Sequence, residues 1–480
     1  METDESEVMR DSIVRYLIVT MFTLSGCAVG PDYSEPETPQ FSSFVEADEA
    51  GASLAEPSRL WWQGFEDPLL SSLITEAMAE NKTIDAALAR LRDARAFWRD
   101  STLGLLPTIT GTAGYEDSKF SQDRTPGAPP EALEVQLYDA GFDAIWELDF
   151  WGRIRREIES RKALERSADA SVEDARQSVV AELVRAYIEL RTLQEKLRIV
   201  EENIKVQTSS LELSQVKYQA GSVSELDVVQ AESLLEQTRA ELPSLQAQTR
   251  IRLYQLAVLL GRTPEQIDPV LSERRNIPSY RDELALGDPT MLLRRRPDIR
   301  IAERNLASAV AKIGFETADL FPRVELFGSL SVEARDFDDL FGDGATVYSV
   351  GPRITWAAFN LRRVLTDIEQ SRALADERFA LYEQAVLEAL QEVESSLVQF
   401  GKERERRAVL LNAVRSSRRA VELAELQYRN GSVDYLTVLA ATRDVLSVEL
   451  SLADSEALCI TALVSVFKAL GANVTEPEAA

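Results

Sequence analysis

The sequence predicts a mainly α-helical chain with a β-barrel portion, built by duplication of one unit. Three observations predict it. The second half of the 480-residue chain repeats the first at a nearly constant offset. No proline occurs between Pro130 and Pro243, or between Pro352 and Pro477. Short segments in which apolar and polar residues alternate precede the long helices.

The repeat is direct. At an offset of 210 residues Trp146 falls on Trp356, Arg153 on Arg363, Ile158-Glu159 on Ile368-Glu369 and Glu182 on Glu392. At the same offset Tyr218 and Gly221-Ser222-Val223 fall on Tyr428 and Gly431-Ser432-Val433, and Leu260-Gly261 on Leu470-Gly471. Upstream the offset becomes 215, which pairs Leu106-Pro107 with Phe321-Pro322. The period is far longer than the roughly 20–50 residues of solenoid repeats, so this is one duplicated structural unit.

Each unit opens with a helix of moderate length, about Leu69–Leu106 and about Pro289–Phe321. Two extended segments follow. A very long helix then runs from Arg153 to Tyr218, and from Arg363 to Tyr428. After a glycine turn another long helix runs to Gly261 or Gly471. Proline inside a helix costs about 3 kcal/mol, so its absence from such stretches is informative. A helix of about 65 residues is roughly 100 Å long, which places it in a bundle, coiled coil or helical tube. Its apolar stripe, Val180, Leu183, Val184, Tyr187, Ile188, Leu190, Leu193, Leu197, Val200 and Ile204, recurs three and four residues apart and is wide enough to meet neighbours on two sides. Pro243, whose counterpart is Ala453, predicts a kink or break in the first copy only.

The extended segments alternate. Phe142, Ala144, Trp146, Leu148 and Phe150 share one parity, against Asp143, Glu147 and Asp149. Val324, Leu326, Leu330 and Val332 alternate with Glu325, Ser329, Ser331 and Glu333; Tyr348, Val350, Ile354 and Trp356 alternate with Ser349, Arg353 and Thr355. Polar links, Glu116–Glu134 and Ala334–Ala345, join them. The pattern fits a barrel wall in an outer membrane, and fits equally a half-buried sheet in a soluble protein. Four strands per chain cannot close a barrel, and a bilayer does not tolerate open sheet edges. Spanning strands therefore require several chains to share one barrel.

Composition narrows the function. The chain has no histidine and two cysteines, Cys27 and Cys459, with a net charge of −27. A Ser-His-Asp triad, a histidine base and a disulfide framework are excluded, and no cofactor or metal site is expected. The acidity argues against nucleic acid. No internal run reaches the 18 or so apolar residues of a spanning helix. Scattered carboxylates on long helices are solvated faces, so no enzyme is predicted. Cys459, near Leu458, Leu463 and Val466, reads as a small buried apolar residue.

The N-terminus reads as a lipoprotein signal over residues 1–26. An apolar run from Ile13 to Leu24 ends in Leu24-Ser25-Gly26-Cys27, and Cys27 is the expected lipidation site, carrying palmitate-type acyl chains. Glu2, Asp4, Glu5 and Glu7 are acidic where such signals are basic, which points to Met9 as the start. Ala28 after the cysteine favours outer-membrane sorting.

Five motifs, in order, carry a resemblance over essentially the whole chain after Cys27. They are Cys27-Ala-Val-Gly-Pro-Asp-Tyr33; Trp61-Trp62-Gln-Gly-Phe-Glu-Asp67-Pro68-Leu69; Trp146-Glu-Leu-Asp-Phe-Trp-Gly-Arg153; Arg294-Arg-Arg296-Pro297-Asp298-Ile299-Arg300, continuing through Ile313-Gly314 to Leu320-Phe321-Pro322; and the two Tyr-x-x-Gly turns. With them the chain resembles the TolC family of outer-membrane channels, and within it the NodT-like lipoprotein branch that serves resistance-nodulation-division efflux systems. The resemblance implies a homotrimer with four strands per chain in a shared twelve-stranded barrel, a helical periplasmic tunnel, and a mixed α/β equatorial belt. It implies lipid anchoring in the outer membrane, most of the chain in the periplasm, and partnership with a periplasmic adaptor and an inner-membrane pump. Small toxic compounds would pass without chemistry. Type I protein secretion is a second function open to the same family; a soluble periplasmic coiled-coil protein is a third, which the strand alternation opposes. The implied organisation is a belt segment at 27–68, repeats at 69–261 and 289–471, an equatorial linker at 262–288 and a tail at 472–480.

The resemblance also implies roles. Gly221 and Gly431 would turn the helix-hairpin tips. Tyr218, Ser222 and Val223, with Tyr428, Ser432 and Val433, would form the tip surface that meets the adaptor. Leu226 and Leu436 would line the aperture, with Asp227 and Asp434 as acidic gate candidates; each aspartate equally suits a helix N-terminus. Ala440 and Gln230 stand where many relatives carry a further acid. Arg294–Arg296 reads as a basic turn before Pro297.

Overall fold

The computed structural model describes residues 28–472 and 474, apart from 38–42, 54, 56–59, 124–125, 128, 130–132, 267–268, 282–283 and 289–293. Cys27, the signal segment, Met9 and nearly all of the C-terminal tail lie outside the described residues. The main elements are α1 (Pro68–Glu80), α2 (Lys82–Leu103), β1 (Thr108–Lys119), β2 (Glu134–Leu148), α3 (Arg153–Gln219), α4 (Glu225–Leu259), α5 (Pro297–Ala318), β3 (Arg323–Ala334), β4 (Thr346–Thr355), α6 (Leu361–Arg429) and α7 (Tyr435–Ala469). The duplication is visible in these bounds. Shifting the end of α3 and both ends of α4 by 210 residues gives the corresponding ends of α6 and α7, and shifting β1 by 215 gives β3.

Packing divides the chain into two compact units. The first takes in residues up to Pro36, Leu91–Ala168 and Ala302–Tyr382; the second takes in Glu37–Arg90, Asp169–Ile301 and Glu383–Ala480.

The first unit holds the sheet. Its order is β1-β2-β3-β4, with every neighbour antiparallel. No strand within the chain pairs with the outer edge of β1 or of β4 among the described residues. The N-terminal segment packs here too. Gly30 has φ +89°, and a Cβ on it would lie 2.4 Å from the Cα of Gly314, so the motifs around Cys27 and Ile313 meet backbone to backbone. Arg156, buried, fastens this crossing. Its guanidinium donates to the Val29 carbonyl at 3.1 Å, to Asp32 at 2.7 Å and to Glu159 at 2.8 Å.

The second unit holds most of the apolar core. The α3 stripe from Val180 to Val200 is buried, as its spacing predicts. An aromatic cluster closes one part of this unit: Trp61 stacks on Phe467 at 5.0 Å, and Tyr280 meets both Phe65 and Phe467. Asp67 caps α1 by accepting from the Leu69 and Leu70 amides, and its other oxygen accepts from the Tyr187 hydroxyl at 2.6 Å. Burial and this carboxylate push the Tyr187 phenol up to about 12. By length and composition α7 would pass for a membrane span, yet half of its most apolar window is buried inside the fold.

Two boundaries differ from expectation. The single helix expected over Leu69–Leu106 is two helices, because Asn81 adopts extended backbone and caps α2: its Oδ1 accepts from the amides of Thr83 and Ile84, while its Nδ2 donates to the Leu259 carbonyl at 2.8 Å. Pro243 produces no break, since α4 runs through it. Its ring sits on an exposed position, while Leu242 and Leu245 on either side pack against Ile199, Val200, Leu446 and Ala453. That packing holds the helix across the missing amide. The start expected at Pro289 lies outside the described residues; α5 is described from Pro297.

Candidate functional site

The sheet register sorts its residues by face. Phe142 opposes Gly111 and Leu330; Ala140 opposes Ala113 and Val332; Leu330 opposes Tyr348. Trp146 opposes Leu326, and Val324 opposes Ile354. This face is apolar throughout its middle, with Tyr115, Tyr138 and Tyr348 towards one end and Trp146 towards the other. Many of its side chains, including Ile109, Phe142, Leu330, Tyr348, Val350 and Ile354, are exposed in the single chain. The other face is mostly polar, although Ile145, Phe327 and Val347 also lie on it. Asp143 opposes Thr110 and Ser329, Asp139 opposes Gly114 and Glu333, and Glu325 opposes Glu147 and Arg353. A sheet with one exposed apolar face, one polar face and two unpaired edges has the properties of a barrel segment in a bilayer.

The Trp146–Arg153 motif builds the corner between β2 and α3. The Trp146 indole donates to the Leu105 carbonyl at 2.9 Å. Glu147 receives both Nε and Nη2 of Arg153, at 2.8 and 2.6 Å. Asp149 accepts from the amides of Ile154 and Arg155, capping the long helix. Trp151 stacks on Phe321 at 4.5 Å and donates to the Pro322 carbonyl. The motif thus fixes where strand becomes helix.

The helix-hairpin tips lie in the second unit and are nearly identical. Gly221 and Gly431 have φ of 70° and 73°, with open space around them. In each, the glycine amide donates to the tyrosine carbonyl three residues back, Tyr218 or Tyr428, and the following serine amide donates five residues back, to Lys217 or Gln427. This is a Schellman ending, which needs a left-handed residue at the glycine. Ser222, Ser432, Leu226 and Leu436 are exposed, Val223 and Val433 half-buried.

The two aspartates occupy reciprocal helix-capping places. Asp434 is the residue before α7, and its Oδ1 accepts from the Thr437 amide at 3.2 Å and hydroxyl at 3.0 Å. Asp227 is the third residue of α4, and its Oδ2 accepts from the Ser224 amide at 3.0 Å and hydroxyl at 3.2 Å. The pairs Ser224/Asp227 and Asp434/Thr437 are the same two positions in the repeat with the acid exchanged.

The tyrosines differ. Tyr218 is 45% exposed, but Tyr428, expected on the tip surface, is 3% exposed. It lies inside a cluster with Ala231, Leu234, Ala424, Tyr435, Val438 and Leu439, where the two hairpins pack together. Its hydroxyl meets Ser214 Oγ at 3.2 Å, its ring meets Tyr435 edge-on at 5.4 Å, and Lys217 bonds its carbonyl and sits over its ring. Burial raises the phenol pKa of both Tyr428 and Tyr435.

One residue of the basic motif does more than turn the chain. Arg296 is 6% exposed. It donates to Asp298 from Nε at 3.0 Å and Nη2 at 2.7 Å, to Glu392 at 2.7 Å and to the Ala469 carbonyl at 2.6 Å. It therefore ties the start of α5 to α6 and to the C-terminal end of α7. Three consecutive arginines hid which one was structural; Pro297-Asp298 immediately after it was the available signal.

The family described as outer membrane efflux protein matches residues 73–262 and 289–472. Nodulation protein T of Rhizobium leguminosarum bv. trifolii is 30% identical over 436 residues, covering 90% of this chain and 91% of that protein. The pyoverdine export outer membrane protein OpmQ of Pseudomonas aeruginosa is 32% identical over 430 residues, covering 88% and 89%. The solved structure of the outer-membrane channel OprN superposes with a TM-score of 0.86 at 38% identity, covering 93% of this chain and 99% of that one. The open-state MtrE channel of Neisseria gonorrhoeae shares the fold at 24% identity, with a TM-score of 0.81 over 93% and 99% of the two chains. The faces of the sheet, the long hairpins and these likenesses agree: the chain belongs to the outer membrane efflux protein family and is an outer-membrane efflux channel of the TolC-type fold.

Proposed function

We propose that three copies of this chain close one twelve-stranded barrel and one helical conduit, which passes small toxic compounds outward for a resistance-nodulation-division pump and its periplasmic adaptor. The observation that carries the trimer is the four-stranded sheet with lipid-type and water-type faces and two unpaired edges, β1 and β4. Each edge needs a partner, and β4 of one copy supplies it for β1 of the next. No bond is made or broken in this reading. The efflux role of relatives named for export of pyoverdine and of solvents supports it.

Cys27 carries the lipid anchor in this proposal. The tip residues Gly221, Ser222, Val223, Gly431, Ser432 and Val433, with Tyr218, meet the adaptor. Leu226 and Leu436, exposed in the single chain, close the aperture against their copies, and Asp227 and Asp434 add negative charge there.

Cysteine pairs scanned along β1 and β4, at inward-facing positions such as Thr112 and Ser349, test the assembly. Oxidation yields covalent trimers, together with loss of dye efflux complementation only when the barrel is blocked. Absence of any cross-linked trimer across the scan overturns the shared barrel.

A further inference from the structure

Within the second unit, a cavity of about 370 Å³ lies against α6 and α7. That size is within the roughly 300–1,000 Å³ of small-molecule pockets. Its walls are about equally polar and apolar, and the apolar part includes Leu284, Phe400, Ile460 and Leu463. Three charged side chains and one thiol also line it: Arg404, Arg407, Glu456 and Cys459. Cys459 is half-buried here, on a cavity wall shared with arginines and not on a closed apolar face.

The charges do not cancel. Arg407 is paired with Glu456 at 3.1 Å. Arg404 donates to the neutral Ala50 carbonyl at 3.0 Å and lies 5.9 Å from the Phe400 ring centre. Among the described residues no carboxylate forms an ion pair with it, and its neighbour Glu403 is engaged by Arg406 and Ser455. In a chain of net charge −27, this pocket presents a guanidinium that has no ion-pair partner among the described residues, beside a wall formed by Leu284, Phe400, Ile460 and Leu463. A guanidinium has a planar fork that matches a carboxylate, and the apolar part of the wall suits an alkyl chain.

We propose that this cavity binds a single-chain amphiphile with a carboxylate head, the head on Arg404 and the alkyl chain against Leu284, Phe400, Ile460 and Leu463. The site is independent of the conduit reading, because it needs neither the aperture nor the barrel.

The native thiol reports occupancy. The full-length protein in phosphatidylcholine nanodiscs is treated with neutral methyl methanethiosulfonate, and modification is read on the Cys459 peptide by mass spectrometry. Decanoate slows modification about tenfold, while decanol and decyltrimethylammonium at equal concentration do not, as expected for a charge-assisted contact. Arg404→Gln removes the decanoate effect. Emission of 11-(dansylamino)undecanoate gives a second reading that needs no thiol reactivity; Arg404→Gln and the cavity-filling Ser279→Trp each weaken its binding by about tenfold. Equal protection by decanol and decanoate, or dansyl binding unchanged in Arg404→Gln, overturns the proposal.

Discussion

Trp146 and Trp356 hold equivalent places in the two repeats, and each indole N–H donates to a backbone carbonyl at the end of the preceding helical segment: Leu105 at 2.9 Å and Leu320 at 3.0 Å. The tryptophans are 210 residues apart and the carbonyls 215, so the shift in repeat register between helix and strand is absorbed while the bond is kept. Both rings are partly exposed on the apolar face of the sheet, where a bilayer interface rewards an amphipathic ring. Trp146→Phe and Trp356→Phe are each expected to cost about 1 kcal/mol, the worth of one hydrogen bond, and the double variant about twice that. Thermal unfolding in detergent measures it; additivity follows because the two bonds share no partner.

Arg296 is a buried charged junction in the second unit. Removing its head strands Asp298 and Glu392 and uncaps the Ala469 carbonyl. The two acids are each 42% exposed, so water relieves part of the loss. Arg296→Met is expected to destabilise by about 2–4 kcal/mol, and Arg296→Lys by less, since lysine keeps one ionic contact but not the fork. Denaturant midpoints of the purified protein separate the two.

Asp174 lies near this junction, faced by Asp298 and Glu392 on one hand and by Lys468 and Arg296 on the other. Burial and the charge of Asp298 raise its carboxyl pKa above the ordinary aspartate value. The folded chain therefore binds this proton more tightly than the unfolded chain. Stability falls as pH rises from the ordinary aspartate range through the raised value, and the penalty is complete above it. Asp174→Asn is expected to raise the unfolding midpoint at pH 7 and to lose that advantage below about pH 4, the unperturbed range. A gain that persists undiminished at low pH contradicts the linkage.

Tyr428 and Tyr218 are sequence equivalents with different surroundings. Tyr428→Ala opens a cavity among Tyr435, Val438 and Leu439 and is expected to cost about 3–5 kcal/mol. Tyr218→Ala on the exposed tip is expected to cost under about 0.5 kcal/mol. Comparable losses for the two contradict the packing described above.

This pair also marks the limit of what the sequence discloses. The repeat, the lengths of the long hairpin helices, the strand parity and the tip glycines were legible because each leaves a periodic or conformational trace: alternation in β2 and β3, proline absence in α3 and α6, a left-handed residue at Gly221 and Gly431. Which of two equivalent tyrosines faces inward was not legible, because it depends on how one hairpin packs on the other. Arg296 was hidden for the same reason. Its partners Glu392 and Ala469 are distant in sequence, and a run of arginines looks alike until the helices are placed. The continuous helix through Pro243 shows packing by Leu242 and Leu245 overriding a local preference that the sequence states plainly.

Asp434 carries two separable properties, a cap and a charge. As the residue before α7 it satisfies the Thr437 amide, and it also adds a negative group at the tip. Asparagine caps a helix about as well as aspartate, whereas alanine costs about 1 kcal/mol. Asp434→Asn therefore removes the charge and keeps the cap, and Asp434→Ala removes both. If the charge governs the aperture, both variants change single-channel cation selectivity and drug leakage to the same extent, and only Asp434→Ala loses stability. If the residue serves α7 alone, Asp434→Asn conducts like the parent, and any leakage in Asp434→Ala follows from fraying at the tip. Asp227→Asn supplies the mirror test, because there the acid accepts from the Ser224 amide, and an amide oxygen can still accept that bond. Bilayer recordings of the four proteins side by side with thermal unfolding assign the role.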